Sequence, residues 1–502
     1  MKAPTVPVAV AVLSAAAMVA AVALRFRATS PLWLDEALTV NIARLPLRDL
    51  VGALRQDGAP PLYFALLHVW TAVFGQGDVA VRALSGVLSV ATLPVTWLAG
   101  RRLGGQRVAW AALLLLAASP FAIRYATEAR MYSLLTLLAV IGYLAVVRAL
   151  ERPTLPHLGA VAVVTGLLLL THYWSLFLLA AVASVLVAWV IRGCSPSAPR
   201  VLAAVAAGSL LFAPWLGVFA FQLRHTGTPW AKPAGPTALL STIAQYSGGP
   251  STAGRALGLL VVVLAGLGAL GRAVDGRHVE IDLLGRPPGR WLALVFGGSL
   301  ALAVAAGLVT RTGIEARYTA ASFPMLILLA ALGARVLQPG RVSHAAVGTA
   351  VALGLIVAVT GSTESRTQAG EVAAALAGQV RAGDVVAYCP DQLGPAVSRL
   401  LPGGTEQLTF PDGSPPALVD WTDYARRQAA SDVDAFAAGL QARTASGSGL
   451  WLVWGGGYRS LGDRCEQLHA RLAALRPARE IVYPVGTTRS VEAAHLTSFP
   501  PG

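Results

Sequence analysis

The chain has 502 residues, of which 55% are hydrophobic and 13% charged, and carries a formal net charge of +14. A soluble protein of this size needs more polar surface than that to cover its core, so the composition points to lipid as the solvent for much of the chain. The basic excess does not indicate nucleic acid, because the arginines are scattered between apolar runs instead of gathering on one face.

Uncharged runs at 8–24, 83–100, 108–123, 131–147, 201–221, 256–271, 291–310, 318–334 and 345–363 approach the length that crosses roughly 30 Å of hydrocarbon as a helix. The run 158–191 is too long for one helix and is interrupted by Thr171, His172, Tyr173 and Trp174, so it counts as two. The expected fold is a multi-pass α-helical membrane protein with about eleven spans. The first run lacks a convincing small-residue cleavage site and is read as an anchor, not a removed signal.

Short basic loops stay on the cytoplasmic side. The segments 100–107, 148–157, 192–200, 272–290 and 335–344 are all basic, which places the N-terminus inside a cell (plasma or inner) membrane. The first loop (26–82), the segments 124–130, 171–174, 222–255 and 311–317, and the tail from Glu364 then share the outer face.

In the first loop, Leu47, Leu50, Val51 and Leu54 recur at helical spacing beside Arg48, Asp49 and Arg55, the pattern of an amphipathic helix lying along the membrane. Gly58, Pro60 and Pro61 stop it. The apolar run 62–74 is short for a span, and counting it as one inverts every later loop, so it reads as a second interfacial helix. The chain divides into a membrane domain, 1–363, and an extracytoplasmic soluble α/β domain, 364–502. Strands are expected in the tail at 384–388, 450–454 and 481–484, and helices at 394–401, 433–442 and 463–475. Gly455, Gly456 and Gly457 follow a strand but lack the spacing and lysine of a phosphate-binding loop, and read as a plain turn. Cys389 and Cys465 form either a disulfide or two buried thiols.

The strongest local signal is Trp33-Leu34-Asp35-Glu36, two adjacent carboxylates just beyond the first span. Either they cap the following helix, or they are in use at the membrane surface. Other polar residues stand on the same face: Arg124, Tyr125, Glu128, Arg130 and Tyr132, then His172 and Tyr173, then Arg311, Glu315, Arg317 and Tyr318. Singly, each is explained by interfacial snorkelling or an aromatic belt. Together, a carboxylate base among fixed arginines beside lipid suits transfer of a group from a lipid phosphate to a hydroxyl.

Asp35-Glu36, Asp57-Gly58-Ala59-Pro60-Pro61-Leu62-Tyr63, Arg82, Arg101-Arg102-Leu103-Gly104, Ser119-Pro120 and Glu128-Ala129-Arg130-Met131-Tyr132 occur in that order. The series resembles the GT-C superfamily of polyprenyl-phosphate-sugar-dependent glycosyltransferases, nearest the protein O-mannosyltransferases and the lipid A aminoarabinose transferase, across residues 7–335. The resemblance implies two membrane-parallel helices in a large first loop, an outer-face active site and an aspartate base, which Asp35 matches. Glu36 shares the catalytic assignment. Arg130, Arg317 and Arg311 are the expected donor-phosphate cations, arginine being suited to bidentate phosphate contacts. Asp57, Tyr63, Glu128, Tyr132, His172, Tyr173 and Tyr318 are expected to line the substrate site. Ala59 stands where some relatives place a metal ligand, so no metal or other cofactor is expected, with Asp57 the nearest replacement.

The expected partners are a polyprenyl-phosphate-linked sugar and a hydroxyl on an envelope glycan, lipid or protein. The tail is expected to hold the acceptor without sharing in the chemistry, so a chain cut near Ser362 keeps transfer to a small acceptor. The rival readings are a transporter or flippase, and a catalytically silent envelope-assembly protein. Arginine outnumbers lysine 37 to 2, the mark of a GC-rich bacterial genome, which makes mannose or arabinofuranose the expected sugar.

Overall fold

The computed structural model describes residues 8–227, 235, 237–285, 288–444, 447–485 and 492–501. The first helix, α1 (Val8–Leu24), ends at Arg25, which is 1% exposed. Its guanidinium donates to Ser89 Oγ at 3.0 Å and to the carbonyls of Ala21, Leu116 and Ala117 at 2.7, 3.0 and 2.8 Å. A cation satisfied in this way pins the end of α1 to the bundle.

The first loop folds as α2 (Leu34–Ala43), α3 (Leu47–Asp57) and α4 (Leu62–Phe74). On α3, Leu50 and Leu54 of the expected apolar face are buried, Leu47 and Val51 of the same face are exposed, and Arg48, Asp49 and Arg55 are exposed as well. Gly58 ends it with φ +86°, the left-handed position that glycine adopts without strain. At 13 residues, about 20 Å, α4 is too short to cross.

The membrane part continues through α5 (Asp78–Gly104), α6 (Gln106–Ala117), α7 (Pro120–Ala126), α8 (Tyr132–Glu151), α9 (Leu155–Thr171), α10 (Ser175–Ile191), α11 (Ala198–Ser209), α12 (Leu216–His225) and α13 (Ala238–Tyr246). It closes with α14 (Thr252–Leu270), a hairpin of β1 (Gly271–Ala273) and β2 (Val279–Ile281), α15 (Gly289–Thr310), α16 (Phe323–Val336) and α17 (Gly340–Gly361). Helix α14 packs on α16 through glycines: a Cβ on Gly333 would lie 1.7 Å from the carbonyl oxygen of Leu264, and one on Gly268 2.1 Å from that of Leu329. Such close backbone approach is how helices associate where lipid supplies no hydrophobic drive.

The expected count of about eleven spans is not met. Among the described residues, six stretches are long and apolar enough to cross: α5, α8, Ala198–His225, α14, α15 and α17. A seventh is added if α6 and α7, bent by 55° at Ser119-Pro120, cross as one. Helices α1, α9 and α10 have 17 residues and α16 has 14, about 26 and 21 Å at 1.5 Å per residue. A charge-free run records where polar residues lie, not where the helix begins: the run at 318 opens inside a 3₁₀ turn, Ala316–Thr319, and α16 starts only at Phe323.

The tail contains a five-stranded sheet in the order β4-β3-β5-β7-β6, formed by β3 (Val385–Cys389), β4 (Glu406–Thr409), β5 (Leu450–Trp454), β6 (Arg479–Val482) and β7 (His495–Phe499). Strand β3 runs parallel to β4 and β5, while β7 is antiparallel to β5 and β6. Helix α18 (Ala369–Ala377) precedes β3, and helices α19 (Gly394–Ser398), α20 (Tyr424–Ala429), α21 (Val433–Arg443) and α22 (Arg464–Leu475) lie between successive strands. Cys389 and Cys465 are joined, with Cα atoms 5.4 Å apart, tying β3 to α22. The glycine turn after β5 faces a carboxylate: Gly457 N donates to Glu466 Oε1 at 3.2 Å. That arrangement repels a phosphate.

The tail rests on the first loop. Asn41 Nδ2 donates to the Ala417 carbonyl at 2.7 Å, Trp421 N to that of Gln56 at 3.1 Å, and Arg399 pairs with Asp78 at 3.3 Å. Asp423 N reaches the His225 carbonyl at 2.6 Å. The first loop, the end of α12 and the tail therefore share one face of the molecule. At other helix ends, Arg102 pairs with Glu151 and Arg335 donates to the Gly104 carbonyl.

Candidate active site

Two carboxylates begin α2, and the structure gives them different surroundings. Successive helical residues diverge by about 100°, so adjacent side chains face different ways. Glu36 points inward and is fully buried. It receives Arg82 Nε at 2.7 Å and Nη2 at 2.5 Å, the backbone N–H of Ala129 at 2.9 Å, and lies 3.9 Å from Arg366. Arg82 also donates to the carbonyls of Ser30 and Pro31 at 2.7 and 3.1 Å. Glu128, 1% exposed, is paired with Arg124 at 2.9 Å and with Arg366 at 3.7 Å. Arg366 further donates to Thr127 O and Oγ1 at 2.7 and 2.6 Å. Glu36 and Glu128 thus form, with Arg82, Arg124 and Arg366, a buried ionic framework instead of facing a substrate.

Asp35 faces the other way. Its carboxylate meets Arg317 at 3.2 Å, with side chains 20% and 19% exposed. Arg130 Nη1 donates to the Asp35 carbonyl at 3.2 Å and to Thr39 Oγ1 at 2.8 Å. Arg130 is held in turn from its own carbonyl, which accepts from Ser85 Oγ at 3.0 Å, and Ser85 Oγ is itself 2.8 Å from the Tyr63 hydroxyl. Tyr63 is therefore a support behind Arg130. Arg317 lies 5.4 Å from the rings of both Trp33 and Tyr318. His172 stands between Tyr132 and Tyr318, 5.9 Å from each ring, and burial followed by the fields of Arg130 and Arg317 pushes its pKa down to about 3. It is a neutral hydrogen-bonding group.

Arg130 Nε, Arg317 Nε and the Tyr132 hydroxyl are buried polar atoms without a hydrogen-bond partner among the described residues. Such atoms are costly to leave unmet, and beside Asp35 they leave donors suited to an anionic or polyhydroxylated partner. Asp57, at the end of α3, feels both Arg130 and Asp35, and burial raises its carboxyl to about 6. Two guanidinium groups thus face Asp35 and a carboxyl that is only partly ionised in mild acid.

Other expected site residues lie elsewhere. Tyr173 bonds to Gln222 and accepts from Trp215 Nε1 at 2.8 Å, while Gln222 donates to the Leu54 carbonyl at 2.8 Å, so the tyrosine supports the end of α3. Arg311 is exposed beyond α15 in the left-handed conformation and does not join the cluster. Sequence reasoning missed Thr39, Ser85 and, from the tail, Arg366 and Glu492. Glu492 Oε1 accepts from Leu34 N at 2.6 Å. Among the described residues no group of three His, Cys, Asp or Glu side chains converges, and Asp35 faces arginines, a poor surrounding for a cation.

The chain is a multi-pass α-helical membrane protein with a GT-C-like fold and a sheet-containing C-terminal domain. Residues 58–217 match the family described as dolichyl-phosphate-mannose-protein mannosyltransferase. The structure is similar to ArnT from Cupriavidus metallidurans bound to undecaprenyl phosphate, with a TM-score of 0.61 at 13% identity, covering 98% of each chain. It is equally similar to the apo state of that protein, at 0.62 and 15% identity over 97% of each chain. No curated protein matches it in sequence.

Three carboxyls outside the spans bear on pH, Asp57 half-buried and Asp391 and Glu492 buried. Burial raises Asp57 to about 6, Asp391 to about 7 and Glu492 to about 8. Each folded pKa lies above its unfolded value, so the folded state holds more protons, and stability falls as pH rises from about 4 through these values. Melting temperature is expected to drop between about pH 5 and pH 8.5, with each group contributing a slope on the order of 1 kcal/mol per pH unit. Asp391→Asn should flatten the profile between about pH 4 and pH 7 and leave the fall above pH 7, which Glu492 sets, in place; an unchanged slope below pH 7 in that variant contradicts the assignment.

Proposed function

We propose that the protein is a membrane glycosyltransferase that moves a sugar from a polyprenyl-phosphate carrier to a hydroxyl of an envelope glycan, lipid or protein. The observation that carries this reading is Asp35 held against Arg317 and Arg130, whose Nε groups are buried and unmet among the described residues. The positive-inside bias puts this face outside the cell, with the N-terminus in the cytoplasm.

In this reading Asp35 takes the proton of the acceptor hydroxyl, whose oxygen attacks the anomeric carbon while the bond to the lipid phosphate breaks, inverting the centre. The departing phosphate needs charge neutralisation more than a general acid, and Arg130 and Arg317 supply it. Tyr132, Tyr318 and neutral His172 orient the sugar, and Asp57 faces the same space. An apolar cleft of about 200 Å³ among α8, α9, α10 and α15, lined by Leu168, Leu178, Trp189, Trp291 and Met325, offers a wall for the prenyl chain. The donor sugar in this reading is mannose or arabinofuranose.

A transporter places its ionisable groups near the membrane midplane. Here they collect around the first loop at one face, which favours surface chemistry. The test is donor binding: charge reversal at Arg130 or Arg317 should weaken binding of a short-chain polyprenyl-phosphate sugar at least tenfold, while Arg101 and Arg102 variants bind as wild type. Greater sensitivity at Arg101 places the site on the opposite face and overturns the reading.

A further inference from the structure

Helix α2 carries Asp35 but has no cap of its own. Its N-cap residue is Trp33, whose side chain offers no acceptor, and the first-turn N–H groups of a helix have no partner within it. The missing acceptor arrives from 458 residues away, where Glu492 Oε1 takes the Leu34 N–H at 2.6 Å.

Glu492 is itself held in a short clip. Thr367 and Glu492 form a parallel bridge, Glu492 N donates to the Arg366 carbonyl at 3.1 Å, and Gln368 N donates to the Glu492 carbonyl at 3.0 Å. Gln368 Oε1 locks the clip by accepting from Val485 N at 2.9 Å and Ala494 N at 3.0 Å. The other arm is Arg366, which reaches Glu36 and Glu128, and whose own N–H donates to Ser30 Oγ at 3.0 Å. One clip therefore holds Leu34 and Glu36, the residues on either side of Asp35. Fixing both neighbours fixes the direction of the Asp35 Cα–Cβ bond in a turn that otherwise frays.

On the glycosyltransferase reading above, we infer that Glu492 and Arg366 are positioning residues through which the tail sets the orientation of Asp35. The tail is then a working part of the site and not a separable acceptor-binding module. A small displacement of a catalytic group costs rate far more than it costs substrate affinity, so the effect falls on kcat. Burial, followed by the neighbouring Asp35 and Glu36, pushes the Glu492 carboxyl up to about 8, so at neutral pH it caps Leu34 mainly as an uncharged acid.

The experiment uses the full chain in nanodiscs as wild type, Glu492→Ala and Glu492→Gln, the glutamine keeping an oxygen acceptor for Leu34. Backbone amide exchange is followed over 32–40, with α4 and the tail sheet as internal references. Turnover is read as release of undecaprenyl phosphate from its mannosyl and arabinofuranosyl phosphodiesters, with octyl mannoside as acceptor. Glu492→Ala is expected to speed exchange in 32–40 at least tenfold with the references unchanged, and to lower kcat at least tenfold with KM within about threefold. Glu492→Gln is expected to restore both. Unchanged exchange in Glu492→Ala overturns the inference whatever the turnover, and so does faster exchange with wild-type kcat. If the wild type itself turns over neither donor, the glycosyltransferase reading fails, while the exchange result still decides whether the tail holds α2.

Discussion

Asp35→Asn is expected to lower sugar transfer by about 10²-fold or more while leaving the protein folded and inserted, because a positioned base contributes at least that much. The substitution keeps size and polarity, so the backbone bonds of α2 to Glu492 and Arg130 survive. Donor binding should be preserved or slightly tightened, since the carboxylate that competes for Arg317 is gone. Steady-state kinetics beside a binding isotherm check this: the loss must appear in kcat. Activity within about tenfold of wild type removes Asp35 from the role of base.

The second large effect is on stability. Glu36→Gln leaves Arg82 and Arg366 facing each other in a buried site without their shared anion. Removing one partner of a buried ion pair costs about 3–5 kcal/mol, a large share of the stability of any domain. The variant is expected to melt many degrees below wild type, or to fail to accumulate as folded protein, whereas Asp35→Asn melts close to wild type. Equal melting temperatures for Glu36→Gln and wild type contradict the framework role. The two neighbours thus separate by readout, Asp35 in rate and Glu36 in stability.

That separation was only partly legible in the sequence. Adjacent residues on a helix diverge, so one of the pair had to face inward, but its partners lie on α5, on the turn before α8 and at the root of the tail, and no local pattern connects them. The two helices α3 and α4 of the first loop were readable because amphipathic spacing and Gly58-Ala59-Pro60-Pro61 are local signals. Strand β5 was readable as a continuous apolar run, since it is buried between β3 and β7. Strands β4 (Glu-Gln-Leu-Thr) and β7 (His-Leu-Thr-Ser-Phe) mix polar and apolar residues, and only their neighbours in the sheet make them strands. The span count failed for a related reason, because helix ends are set by turns and caps that hydropathy does not record.

The role of the tail shows the same limit at longer range. Arg366 and Glu492 stand in unremarkable stretches of sequence, and their function exists only because the chain folds back to place them on either side of Asp35. A cut near Ser362 removes both. Such a truncation is therefore expected to lose transfer even to a small acceptor, in place of the retained activity that the sequence pattern implied.

A lipid phosphate held by Arg130 and Arg317 is the centre of the proposed reaction, and its most direct measurement is mass spectrometry of the lipids that copurify with the full chain. Wild-type protein is expected to carry polyprenyl phosphate, free or bearing one sugar, and the double variant Arg130→Ala/Arg317→Ala to lose it while keeping its bilayer phospholipids. Bilayer lipids alone on the wild type after expression with abundant polyprenyl phosphate, or an equal amount of carrier on the double variant, would contradict the account.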